Sequence, residues 1–174
     1  MASSHDPVDI YEVLTWSRFG DAVKELAAMV AQSGFQPDII LAIARGGLVP
    51  AGALGYLLSV KNIFTMNVEY YTGVNERLEM PVILPPFLDL MGLEDRQVLV
   101  VDDVADTGHT LDMVLRFCTP KVLEVRSAVL YYKPHSVVRP HYVWRDSDRW
   151  ILFPWASEEP VAQPKDGSTA VAER

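Results

Sequence analysis

The run Asp38-Ile-Ile-Leu-Ala-Ile-Ala44 is almost unbroken apolar sequence, stopped abruptly by Arg45-Gly46-Gly47. A strand with one wet face alternates apolar and polar residues, whereas a continuous run suits a strand buried on both faces. Burial on both faces requires a sheet with helices packed above and below it. A second run of this kind covers Gln97–Val101. Around these strands the spacing predicts helices. Thr15 is a candidate N-cap and Gly34 a stop, with Phe19, Val23, Leu26, Ala27 and Val30 recurring at helical intervals between them. Further helices are predicted over 48–58 and 110–117, and further strands over 63–70 and 122–132. Strands alternating with helices imply an α/β fold with a mostly parallel, twisted sheet.

The chain has 174 residues, a length that suits one compact domain with a real core. The reading places a loose arm at 1–10, the domain at 11–156 and a disordered tail at 157–174, where large apolar residues almost vanish. Residues 71–96 carry two glycines and three prolines and read as a long loop with at most one short element. A loop of that length in a compact domain is usually functional, and a mobile active-site lid is expected. The formal net charge of -8 argues against nucleic acid and anionic membranes as main partners. No apolar run approaches the ~20 residues of a membrane helix. The one cysteine, Cys118, forbids an internal disulfide and a cysteine metal cluster, and it fits a reducing, cytoplasmic setting.

The chemistry concentrates in Val98-Leu-Val-Val-Asp-Asp-Val-Ala-Asp-Thr-Gly-His-Thr110. Asp102 and Asp103 follow a buried strand, and Ala105, Asp106, Thr107, Gly108, His109 and Thr110 turn into a helix. Gly108 lets backbone approach a ligand closely, and amides at a helix start favour an anion. The threonines add hydroxyl donors, so the turn is a phosphate cradle without lysine or arginine. Paired carboxylates suit ribose hydroxyls, and magnesium held through those hydroxyls or water. An isolated acid pair fits a plain acidic turn and N-cap after a strand better, and it is the full pattern through Asp-Thr-Gly-x-Thr that is specific. A response-regulator acid pocket would place its pair after the first strand. A Walker A loop is excluded, because no Gly-Lys-Ser/Thr occurs.

This segment resembles the 5-phosphoribosyl-1-pyrophosphate motif of type I phosphoribosyltransferases. Ala42-Ile-Ala-Arg-Gly-Gly-Leu-Val-Pro50 resembles the family's pyrophosphate loop, Lys133-Pro134 the base-recognition lysine of its 6-oxopurine members, and Trp150-Ile-Leu-Phe-Pro-Trp155 their C-terminal aromatic segment. Order and spacing are most similar to the bacterial xanthine–guanine and hypoxanthine–guanine branch, over roughly residues 12–156.

The resemblance implies the type I fold with a small base-binding hood, here 133–156. It implies purine salvage: transfer of ribose 5-phosphate from phosphoribosylpyrophosphate to guanine, xanthine or hypoxanthine, with release of pyrophosphate and use of Mg2+. It assigns Arg45, Gly46 and Gly47 to pyrophosphate, at a loop whose peptide bond can be cis in the family. Asp102 and Asp103 go to ribose and magnesium, residues 105–110 to the 5′-phosphate, Asp106 to the reacting base near purine N7, and Lys133, Trp150 and Ile151 to base binding. A homodimer or homotetramer is expected.

Taken alone, Arg45-Gly46-Gly47 also fits a tight turn with a solvated arginine, Lys133 a surface lysine before a proline turn, and Trp150 a packing aromatic. His109 stands where the family often has glycine or lysine, and Ala156-Ser157 where an acid usually follows the last tryptophan. The rival reading is a regulator of the same fold that senses phosphoribosylpyrophosphate or a nucleotide. Intact Arg45, Asp102, Asp103, Asp106 and Lys133 favour catalysis.

Overall fold

A computed structural model describes residues 10–71, 80–84 and 92–162. Among these, the elements in chain order are β1 (Tyr11–Val13), α1 (Trp16–Gln32), β2 (Ile39–Ala44), α2 (Leu48–Leu57), β3 (Asn62–Tyr71), β4 (Met80–Leu84), β5 (Gln97–Ala105), α3 (His109–Cys118), a 3-10 turn (Thr119–Lys121), β6 (Glu124–Tyr132), β7 (Tyr142–Asp146) and β8 (Trp150–Leu152). The chain divides into two compact units, Gly20–Asp148 and a smaller one made of Met1–Phe19 with Arg149–Arg174.

The larger unit holds a sheet of six described strands in the order β4-β3-β2-β5-β6-β7. Its strands pair in parallel except for β4, which runs antiparallel along the edge. The predicted α/β architecture is therefore observed. Ile39 to Ile43 and Val98 to Val101 are buried throughout, which is what an unbroken apolar run demands. Alternate residues of these strands join α3 in one core cluster with Met66, Leu111, Val114, Cys118 and Val129. In α3 the buried residues are Leu111, Val114 and Cys118, spaced for one helical stripe. Cys118 is thus a core thiol, and burial pushes it up to about 11.

Strand order fixes where a ligand can enter. From β2 the chain passes through α2 to β3 on one side, and from β5 through α3 to β6 on the other. The direction of winding reverses between β2 and β5. Open α/β sheets bind ligands beyond the carboxyl ends of strands at such a reversal.

Boundaries differ from the sequence reading in places that matter. The expected strand 97–101 runs on to Ala105, through the acid pair, because β6 continues to pair with it: Asp102 lies opposite Val129 and Ala105 opposite Tyr132. β4 is the short element within the expected loop 71–96. The rest of that loop, 72–79 and 85–91, lies outside the described residues, as do 1–9 and 163–174, which cover most of the expected arm and tail. The stretch 133–156, expected as one hood, is divided: β7 extends the large sheet beside β6, while β8 belongs to the smaller unit.

In the smaller unit β1 pairs in parallel with β8, Tyr11 opposite Trp150 and Val13 opposite Leu152. Four aromatic rings pack there. Phe153 stacks on Trp155 at 4.9 Å, and Phe19 meets Trp155 edge-on at 5.4 Å with Trp16 beside both. Arg18 ties α1 to β1 by donating from Nη1 to the Val13 carbonyl at 3.0 Å. Edge-on and offset rings of this kind favour one arrangement beyond simple area burial.

Candidate active site

The two loops with unusual chemistry meet at the winding reversal. Gly46 and Gly47 lie directly after β2. A Cβ on Gly46 would run into the Asp103 carboxylate, and one on Gly47 into the carbonyl oxygens of Val101 and Ile43. At Gly47 the obstruction is backbone, so glycine is required there by lack of space, whereas at Gly46 a side chain would have to displace the Asp103 carboxylate. The peptide bond Ala44–Arg45 is cis, the form that the resemblance implied. Arg45 is exposed, and among the described residues no carboxylate pairs with it. The arginine is open to a pyrophosphate, which guanidinium geometry matches well.

Asp102 and Asp103 sit inside β5 rather than after it. The Asp103 amide donates to Asp102 Oδ1 at 2.9 Å. Burial nevertheless pushes the Asp102 carboxyl well above the usual range, and the adjacent Asp103 charge adds to that shift. Among the described residues no group of three or more histidine, cysteine, aspartate or glutamate side chains could hold a metal ion. The acid pair fits magnesium, which keeps waters and substrate oxygens and needs only one or two carboxylates.

Beyond Ala105 the chain forms the predicted turn. Gly108 has φ +81 and caps α3, and a side chain there would collide with Ser136. The first intrahelical bond runs from the Asp112 amide to the Gly108 carbonyl at 2.9 Å. First-turn amides have no intrahelical acceptor, so those of His109 and Thr110 suit an anion. Thr107 and His109 are exposed, and Thr110 is half-buried. Asp106 is exposed too, and it bonds His135 Nε2 through Oδ1 at 3.0 Å.

Lys133 follows β6 and is only 6% exposed. That burial removes the surface-lysine alternative, since lysine is almost never buried without a reason. Its amide donates to the Ala105 carbonyl at 3.0 Å, and the Val137 amide donates to the Thr107 carbonyl at 2.9 Å. The segment 133–138 therefore backs the 105–108 turn. In the smaller unit, Trp150 is 40% exposed and Ile151 is buried. Phe153 and Trp155 pack in the ring cluster.

Within the larger unit, then, the fold joins Arg45, Gly46 and Gly47 to Asp102 and Asp103, and the phosphate turn to the Lys133 segment. A family model for the phosphoribosyl transferase domain matches residues 9–160.

The chain belongs to the phosphoribosyltransferase family.

It is 32% identical over 158 residues to a xanthine-guanine phosphoribosyltransferase of Gluconobacter oxydans, covering 89% of this chain and 90% of that one. A protein of the same description from a Ruegeria species is 33% identical over 146 residues, covering 78% and 80% of the two chains. The crystal structure of a purine phosphoribosyltransferase from Pyrococcus horikoshii superposes with a TM-score of 0.75 at 35% identity, covering 89% of this chain and 99% of that one. The family read from four short motifs is thus borne out over nearly the whole described chain. Among the described residues no helix is long and apolar enough to cross a membrane.

One member of the constellation escaped the sequence reading. His135 lies 29 positions from Asp106 and belongs to none of the motifs. Its only signal is its place two residues after Lys133.

Proposed function

We propose that this phosphoribosyltransferase moves ribose 5-phosphate from phosphoribosylpyrophosphate to a 6-oxopurine: guanine, xanthine or hypoxanthine. The observation that carries the reading is the backbone bond between Lys133 and Ala105. It sets a buried lysine beside the phosphate turn at the switch point of the sheet. An ammonium group has only donors, so it can donate to a purine 6-carbonyl oxygen but finds no acceptor in the amino group of adenine. The three curated or solved relatives bear purine names, which supports the same acceptor class.

In the proposed reaction the purine nitrogen bonds to the anomeric carbon as its bond to pyrophosphate breaks, the electron pair leaving with pyrophosphate. Arg45 and the amides of Gly46 and Gly47 receive the growing charge. The amides and hydroxyls of residues 105–110 hold the 5′-phosphate, and Asp102 and Asp103 hold the ribose hydroxyls. The same pair would retain Mg2+ through those hydroxyls or water, and the ion supplies neutralisation of the pyrophosphate when bound. Asp106 takes the proton lost from the base near N7. The proposed working form is a cytoplasmic homodimer or homotetramer.

A spectrophotometric assay with phosphoribosylpyrophosphate, magnesium and each base in turn tests the reading. Nucleotide should form with at least one 6-oxopurine and not with adenine. Absence of turnover with all three 6-oxopurines would refute the proposal.

A further inference from the structure

We infer that His135 is a positioning residue for Asp106, a role that rests on the reaction proposed above. Three bonds join the end of β5 and the turn after it to the segment after β6, and they follow one another in register. The Lys133 amide meets the Ala105 carbonyl at 3.0 Å, His135 Nε2 meets Asp106 Oδ1 at 3.0 Å, and the Val137 amide meets the Thr107 carbonyl at 2.9 Å. The first and last are main-chain bonds that fix the two loops against each other. The middle one is a side-chain bond, and it falls on the one carboxylate of the turn assigned to the reacting base. The Ser136 amide closes back on the Lys133 carbonyl at 3.0 Å, which holds the turn that carries the imidazole.

The chemistry gives this contact a direction. To accept a proton from the purine, Asp106 must be ionised, and an ionised carboxylate only accepts hydrogen bonds. His135 Nε2–H is then the donor. Among the described residues, His135 is the one side chain that bonds the Asp106 carboxylate. Oδ1 is therefore held and Oδ2 is left for the base. Without the imidazole, an exposed aspartate explores its rotamers freely, and the oxygen that meets the purine is no longer fixed. The bond also has a second effect. Asp106 stands beside the site assigned to a phosphate, and a donor on Oδ1 turns the carboxylate toward the 133–138 segment and away from that anion.

The role predicts a loss in kcat and not in the binding of phosphoribosylpyrophosphate. His135→Ala should lower kcat about tenfold, part of the ~10²–10⁴-fold worth of a positioned acid–base group, with KM for phosphoribosylpyrophosphate and Tm unchanged. His135→Gln places an amide donor near the Nε2 position and should restore most of the loss. Added to Asp106→Asn, His135→Ala should cost nothing further, because a residue acting through Asp106 has nothing left to position.

A full tenfold loss in the Asp106→Asn background, a loss carried by KM, or no rescue by glutamine would each overturn the role. Unchanged kcat in His135→Ala with an active wild type would do so while leaving the proposed function intact. A wild type inactive on every base would instead strike the proposed function. The pairing itself is read separately, in the protein without substrate. Asp106→Asn should move the His135 side-chain nitrogen resonances, and unmoved resonances would overturn the inference whatever the enzyme turns over.

Discussion

Gly108→Ala tests whether the phosphate turn is held by glycine for want of space. At φ +81 an alanine is in the left-handed region, which costs about 1–2 kcal/mol. The new methyl would collide with Ser136 Oγ and press on the Val137 amide nitrogen and Val138 Cγ1, both at 3.2 Å. Overpacking of that kind adds about 1–3 kcal/mol. Together the substitution should destabilise the protein by about 2–5 kcal/mol, or roughly 4–20 °C in Tm at this chain length. Urea denaturation reads the free energy directly, with an unchanged m-value if the denatured state is unaffected. The steric part has its own control. Ser136→Ala removes the colliding oxygen, although it also loses the bond from Ser136 Oγ to the Val138 carbonyl at 2.9 Å. Gly108→Ala with Ser136→Ala should therefore be more stable than the sum of the single effects predicts, by about 1 kcal/mol or more on the scale of coupled neighbours. A Gly108→Ala cost under about 0.5 kcal/mol, the level of an ordinary surface substitution, would refute the reasoning. Strict additivity with Ser136→Ala would refute its steric half.

Three further outcomes follow from the site and its flank. Asp102 is held above its unfolded value of 3.8, so the stability linked to its proton is complete below that value and is lost as pH rises through the folded one. Asp102→Asn should therefore stabilise the protein at neutral pH by about 0.5–2 kcal/mol while lowering activity, and thermal melts in which the gain persisted unchanged into acid would contradict this. His141 is held low by burial and then by Arg126, and its Nδ1 accepts the Ser127 amide at 3.1 Å. Its contribution is complete above the unfolded value of 6.5 and is lost as pH falls, so His141→Asn, which keeps an acceptor without titrating, should flatten the loss of Tm in mild acid. Lys133→Ala should reduce kcat/KM for 6-oxopurines by about 10–100-fold, the worth of a charge-assisted hydrogen bond, and an unchanged kcat/KM with all three would remove its role in base binding.

Much of this architecture was legible because it rests on local pattern. Ile39 to Ile43 and Val98 to Val101 announce strands buried on both faces, and Gly34, Gly46, Gly47 and Gly108 punctuate them where the chain turns. The turn at Gly108 was legible for a related reason, since its positive φ and the start of α3 leave a local signature. What was missed depends on partners distant in sequence. The β5 strand outruns its apolar segment because β6 pairs with Asp102, Val104 and Ala105 too. The three-residue β1 carries no period, and only its pairing with β8 makes it a strand. β7 went unseen because Tyr142 to Asp146 mixes aromatic and charged residues at a sheet edge. His135 finds Asp106 through the register of two loops, which no spacing rule encodes.

The main-chain bonds from Lys133 to Ala105 and from Val137 to Thr107 carry a consequence for redesign. They make 105–108 and 133–138 a single cassette, although 24 residues intervene between Gly108 and Lys133. A graft that imports a foreign segment at 133–138 alone would dock it on a turn shaped for another partner. Ser136, which fills the space above Gly108, would be the first mismatch. Exchange of this region by recombination should preserve its packing only when both segments are inherited together.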